Sequence, residues 1–212
     1  MEIKITEPEF KSEAYWEARY SRGLNSGSGS YGRLALFKAR VVNDFIHGHQ
    51  IGGVIEFGAG DGHQLSLLQA PRYVGYDVSR RILERLKALF AADPGKSFYH
   101  MSDYDGRTAE LALSLDVIFH LVDDGDFEKY LTRLFQAAEK YVIIYSSNQE
   151  QQEKVMAPHF RHRLFTPWIE EKFPDWRLTS KIDNPFPFDG SDPENCSSSD
   201  FYIYSKKNIF GL

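Results

Sequence analysis

The chain has 212 residues, 42% hydrophobic and 15% aromatic, enough for one domain with a sizeable core. A formal net charge of -5 argues against a polyanionic partner, so no nucleic acid is expected as one. The single cysteine, Cys196, excludes an internal disulfide and a cysteine-rich zinc site. No run approaches the length of a membrane span, and the opening MEIKITEPEF lacks an apolar signal core, so a cytoplasmic location is the expectation.

In chain order, residues 12–20 predict a short helix with Tyr15, Trp16 and Tyr20 along one side. The stretch 21–32, SRGLNSGSGSYG, is too rich in Gly and Ser for a regular element. It sits between two aromatic-rich helices and carries Asn25 and Tyr31, with Arg33 just beyond. An ordered loop over a ligand is expected there. Apolar residues at 34, 37, 41 and 45 predict a helix over 34–46, stopped near Gly48.

The centre alternates. Strands are predicted at 52–57, 72–77, 97–101, 112–119 and 140–146, and helices at 61–69, 79–92 and 126–138. Ser79 suits an N-cap, and Ile82, Leu83, Leu86 and Phe90 form the buried stripe behind it. Phe127, Tyr130, Leu131, Leu134 and Phe135 form the same kind of stripe in the third helix. The nearly all-apolar KYVIIYS at 140–146 reads as a strand buried on both faces. Thr166 and Pro167 open a short helix to Phe173. Two last strands, 176–183 and 200–206, suggest an antiparallel edge hairpin. The fold class is therefore α/β, a doubly wound and mostly parallel sheet.

Chemistry concentrates in Val54 to Gly62, VIEFGAGDG: an apolar strand with an acid, Glu56, then glycines at 58, 60 and 62. Strand, glycine turn and helix start together let a backbone approach a ligand and offer free N–H groups. Position 63 is His, so the G-x-G-x-x-G dinucleotide fingerprint is not met. A second acid, Asp77, stands at the end of the next strand, where doubly wound folds take ribose hydroxyls.

These residues resemble motif I, and the acid position after it, of class I S-adenosylmethionine-dependent methyltransferases. The resemblance is best over residues 50–147. It implies S-adenosylmethionine as cofactor and a seven-stranded sheet ending in a reversed strand. It also implies one domain: N-terminal helices and loop at 1–49, a cofactor-binding core at 50–147, and acceptor-side loops and terminal strands at 148–212. The flanks YWEARYSRGLNSGSGSYGRLALFKARVVNDF and HFRHRLFTPWI are similar to those of small bacterial methyltransferases associated with glycan assembly. By the same resemblance Gly58, Ala59, Gly60 and Gly62, with Glu56, meet the amino-acid part of the donor. Asp77 takes the ribose, Val78 neighbours the adenine, and Asp103 with Tyr104 meets the adenine edge. Leu115 and Asp116 border the donor, and Tyr31 comes from the covering loop.

The resemblance of the segment after strand four implies that His120 faces the methyl group or the substrate, either as a base or as a residue that only orders the loop. His159, Arg161, His162 and Arg163 form the densest cationic cluster, which Arg19, Arg22 and Arg33 are expected to join from the N-terminal side. This cluster is expected to clamp a carboxylate or phosphate; the alternative is a solvated turn paired with Glu170 or Glu171. Asn184-Pro185-Phe186-Pro187 looks like the box of amino methyltransferases but lies far from strand four, so it is set aside. No metal-ligand pattern is present. The expected activity is O-methylation of a small anionic or sugar-like acceptor. The competing readings are a NAD-type oxidoreductase and a non-catalytic S-adenosylmethionine-binding module. The oligomeric state is left open.

Overall fold

The computed structural model describes residues 10–152, 157–190, 192 and 194–207, so the signal-core reading of the first nine residues lies outside it. Elements follow in the order α1 (Ser12–Ser21), α2 (Gly32–Gly48), β1 (Val54–Phe57), α3 (His63–Ser66), β2 (Tyr73–Asp77), α4 (Arg80–Leu89), β3 (Lys96–His100), β4 (Ala109–Leu115), α5 (Asp124–Ala137), β5 (Ala138–Ser146), α6 (Thr166–Lys172), β6 (Trp176–Ile182) and β7 (Asp200–Lys206).

The seven strands form one sheet in the order β3-β2-β1-β4-β5-β7-β6. β1 to β5 are parallel, while β7 runs antiparallel to both β5 and β6. The strand order turns at β1, which has β2 on one side and β4 on the other. A crevice opens beyond the carboxyl ends of strands at such a point.

Period-two alternation sends neighbouring side chains to opposite faces. Val54, Leu113 and Ile143 pack under α2 and α4 with Val42, Ile46, Ile82 and Leu86. Ile55, Ala112, Val142 and Ile144 pack under α5 and α6 with Leu131, Leu134 and Ile169. Ser79 caps α4 as expected, accepting from Ile82 N at 3.2 Å.

Most boundaries shift by one to three residues, and the two differences that shape the crevice are larger. The fourth strand spans 109–115, not 112–119. Asp116 has φ +58°, which ends the extended run, and Ile118–His120 then curl into a 3-10 turn that buries Ile118 and Phe119. The helix after the glycine turn is one short turn, His63–Ser66, because Gly58, Gly60 and Gly62 all hold positive φ and the chain becomes helical only past Gly62. Among the described residues, no helix is long and apolar enough to cross a membrane.

Candidate functional site

The glycine turn is tied to the end of β2. Gly58 N and Ala59 N both donate to Tyr76 O, at 2.7 and 3.0 Å. One Asp77 oxygen accepts from Gly60 N and the other from Ser79 N, each at 2.9 Å. His100, at the end of β3, donates from Nε2 to Val78 O at 2.9 Å and fixes the residue after Asp77.

The Gly/Ser-rich loop is ordered and latched onto this turn. Asp61 Oδ2 accepts from Ser26 N at 2.8 Å and from the Tyr31 hydroxyl at 2.9 Å, while Asp61 N donates to Ser26 Oγ at 2.8 Å. The Tyr31 ring stacks on His63 at 4.2 Å. Burial alone would raise the Asp61 carboxyl, but the N–H groups of Ser26 and His63 and the Tyr31 and Ser26 hydroxyls hold it below its ordinary value. A Cβ on Gly60 would stand 2.7 Å from Ser26 Oγ, so the loop crosses the turn at a distance only glycine permits.

A cleft runs between the turn, the end of β4 and α1. Among the described residues its wall carries four carboxylates, Glu56, Asp61, Asp77 and Asp116, and no lysine or arginine. Its apolar end includes Val78, Met101, Leu115 and Leu121. Gln64 lines it too, and its buried Oε1 has no hydrogen-bond partner among the described residues. Burial pushes the Asp77 carboxyl up, against the backbone N–H bonds that favour its ionised form.

Glu56 lies on the α2 side of the sheet and accepts from the Tyr73 hydroxyl at 2.5 Å. Burial pushes its carboxyl up to about 7, with Tyr73 and Lys38 opposing. From an ordinary value of 4.5, a raised folded-state value favours folding below that pH and loses the contribution as pH rises through about 7. Glu56→Gln is therefore expected to be more stable than wild type by about 2–3 kcal/mol near pH 8, with almost no gain near pH 4, in urea unfolding. An equal difference at both pH values would contradict it.

Asp116 is paired with Lys38, whose Nζ lies 2.5 Å from Oδ2 and whose side chain is 1% exposed. Asp116, His120, Trp16, Ser26 and Ser30 border both this cleft and a second, wider cavity. The second cavity is walled by rings, with Tyr15 stacked on His159 at 4.4 Å and Phe119 on Phe160 at 4.6 Å. Ser147 and Ser197–Ser199 add hydroxyls, and Arg19 is the Arg or Lys on its wall among the described residues. His120 Nδ1 donates to the His159 carbonyl at 2.8 Å, which leaves Nε2 as the ring's basic nitrogen. Burial among these rings lowers His120 to about 4, so it is neutral at physiological pH.

The cationic cluster is divided. His159 and His162 border the second cavity, and His162 Nδ1 bonds Ser147 Oγ at 2.8 Å. Arg161 and Arg163 do not reach it. Arg161 donates to Val122 O and Asp124, both at 2.8 Å. Arg163 is buried, donates to Leu121 O, Val122 O and Asp124, and lies 4.8 Å from the Phe127 ring centre. Their partners are these, not Glu170 or Glu171. Arg33 is exposed, donates to Asn195 O at 2.6 Å and covers the Phe186 ring, so it fastens the tail loop to α2. Asp103 is exposed and accepts from Ser102 Oγ at 3.0 Å, and Tyr104 packs against Phe57 and Tyr76; neither borders the cleft.

Sequence reasoning missed Lys38 and Gln64. Lys38 had a visible signal: it lies four residues from both Leu34 and Val42 and beside Ala39, on the apolar stripe of α2. Among the described residues, no cluster of His, Cys, Asp and Glu is arranged to hold a metal ion.

No protein-family model and no curated protein matches the sequence. Solved structures do match the fold. N-methyltransferase NodS from Bradyrhizobium japonicum, in complex with S-adenosylhomocysteine, superposes with a TM-score of 0.69 at 10% identity, over 93% of this chain and 99% of that one. Magnesium protoporphyrin IX methyltransferase from Synechocystis, with S-adenosylhomocysteine bound, gives 0.65 at 13% identity, over 92% and 98%. A S-adenosylmethionine-dependent methyltransferase from Anabaena variabilis gives 0.65 at 18% identity, over 97% and 98%. With this strand order, its reversed β7 and these superpositions, the chain has the class I methyltransferase fold.

Proposed function

We propose that the protein is an S-adenosylmethionine-dependent methyltransferase that methylates a hydroxyl of a small, sugar-like acceptor. The observation that carries this reading is the charge of the cleft: four carboxylates and no lysine or arginine on the wall among the described residues. A dinucleotide would set two phosphate charges against those acids. S-adenosylmethionine instead sets an ammonium and a sulfonium against a single carboxylate, a net positive charge, and its chemistry is an electrophilic methyl group.

The residues fit that ligand. The unpartnered Gln64 Oε1 and the carboxylate of Glu56 suit an ammonium. Asp77, held by backbone N–H groups, still has acceptor capacity for ribose hydroxyls, since a carboxylate offers about four lone-pair sites. Val78, Met101 and Leu121 offer an apolar slot for adenine. The ring-walled cavity with its serines suits the apolar face and hydroxyls of a sugar, and Arg19 matches a single anionic group. Arg161 and Arg163, held elsewhere, no longer support a doubly clamped anion. His120 Nε2 is available to a hydroxyl proton, although its lowered basicity suits a hydrogen-bond acceptor better than a strong base.

Calorimetric titration with S-adenosylmethionine and S-adenosylhomocysteine is the test. Micromolar binding of both is expected, and NAD should not bind. Asp77→Asn keeps the shape of the side chain and removes its charge, and should weaken both ligands about 10- to 100-fold. Unchanged affinity would remove Asp77 from the site. NAD binding without either adenosyl ligand would overturn the reading.

A further inference from the structure

Resting on the donor reading above, we propose that Asp116 is the contact by which the protein distinguishes the positively charged donor from its neutral demethylated product. The methyl group must pass from the donor cleft to the ring-walled cavity, so the reacting centre belongs at the wall they share. Asp116 is the one carboxylate on that wall among the described residues.

Its placement is held from several sides. Asp116 N donates to Tyr145 O at 2.9 Å, and the residue keeps φ +58°, an uncommon conformation for a side chain other than glycine. Gly29 lets the N-terminal loop pass over it, since a Cβ there would stand 3.0 Å from Oδ2. Oδ2 takes the Lys38 ammonium, while among the described residues Oδ1 has a long 3.4 Å contact from Ser199 Oγ.

The direction of the pair matters. Lys38 borders neither cavity, whereas Asp116 borders both. A ligand at the shared wall therefore meets the carboxylate at contact distance, with the ammonium farther behind it. The other titratable side chain on that wall, His120, is neutral at physiological pH. The local field attracts a sulfonium and gives nothing to a thioether, so transfer of the methyl group removes the attraction and favours product release.

The test uses the full-length chain and the two adenosyl ligands, titrated calorimetrically into wild type, Asp116→Asn and the double variant Lys38→Met/Asp116→Asn. Asparagine tolerates the positive φ and keeps the shape of the side chain. With Coulomb attraction near contact only partly offset by Lys38, Asp116→Asn should weaken S-adenosylmethionine about tenfold and S-adenosylhomocysteine less than about twofold. The double variant should retain that altered ratio. Equal weakening of both ligands would overturn the proposal. So would a double variant that regains the wild-type ratio, because the effect would then come from an unmasked Lys38. If Asp116→Asn alone fails to fold, the double variant, which leaves no unpaired charge, carries the same comparison. Wild type that binds neither ligand would refute the donor reading, and this inference with it. Binding of both with an unaltered ratio refutes this inference alone.

Discussion

Replacing Lys38 with Met is expected to cost about 3 kcal/mol of folding stability. Lys38 extends from the core face of α2, between Leu34 and Val42, to reach Asp116 at 2.5 Å. Met fills much of the same space, so packing changes little and the loss is electrostatic. Removing one partner of a buried pair strands the other, which costs more than the pair contributes in net terms. The side chain of Asp116 is 16% exposed and faces two cavities, so water reaches it; this puts the expected cost at the low end of the range for fully enclosed pairs. Glu56 also loses the positive neighbour that opposes its burial. Adding Asp116→Asn to Lys38→Met should recover most of the loss. The measurement is urea unfolding of the single and double variants, with thermal midpoints as a second reading; for a chain of this length the single variant should melt about 6–12 °C lower. A loss below about 1 kcal/mol would mean that Asp116 is solvated through the cavities and that Lys38 is dispensable to the fold.

Those expected losses arise from a contact that the sequence pattern hid. Regular elements were legible because their signals are local: Ser79 before an apolar stripe, KYVIIYS as a doubly buried strand, Tyr130, Leu131 and Leu134 on one face of α5. The glycine turn and Asp77 were legible because spacing along the chain places them at adjacent strand ends. The end of β4 was not. Asp116, Val117 and Ile118 read as a continuing strand, and only the tertiary fit of Ile118 into the core and of Phe119 against Phe160 bends the chain at Asp116. Lys38 stands on the apolar stripe of α2, but nothing local names its partner, which lies 78 residues away. Arg161 and Arg163 read as an anion clamp for the converse reason. A basic cluster does not say whether carbonyls stand nearby, and here Leu121 O and Val122 O take the guanidinium groups before any ligand can.

Gly58→Ala is expected to abolish donor binding at ordinary ligand concentrations, with at least about 100-fold weaker affinity, and to cost about 3 kcal/mol of stability. Two penalties coincide at this position. Its φ of +93° is outside the range that L side chains readily adopt, and a Cβ there would overlap Val117 Cγ2. Neither partner yields easily. Gly58 N and Ala59 N share the Tyr76 carbonyl, so the turn cannot retreat without giving up a bond at the end of β2. Val117 leads into the 3-10 turn that carries His120, so pushing it away opens the wall between the two cavities. The two penalties can be measured separately. Gly106 has nearly the same φ, +91°, and open space where its Cβ would be, so Gly106→Ala should report backbone strain alone, about 1–2 kcal/mol. Gly58→Ala/Val117→Ala relieves the overlap but keeps the dihedral, and should recover part of the stability and little of the affinity. If Gly58→Ala costs no more than Gly106→Ala and binds the donor normally, close packing of the turn against Val117 has no part in the site. If the difference is large, the glycine is required by the neighbour it touches and not by the turn alone.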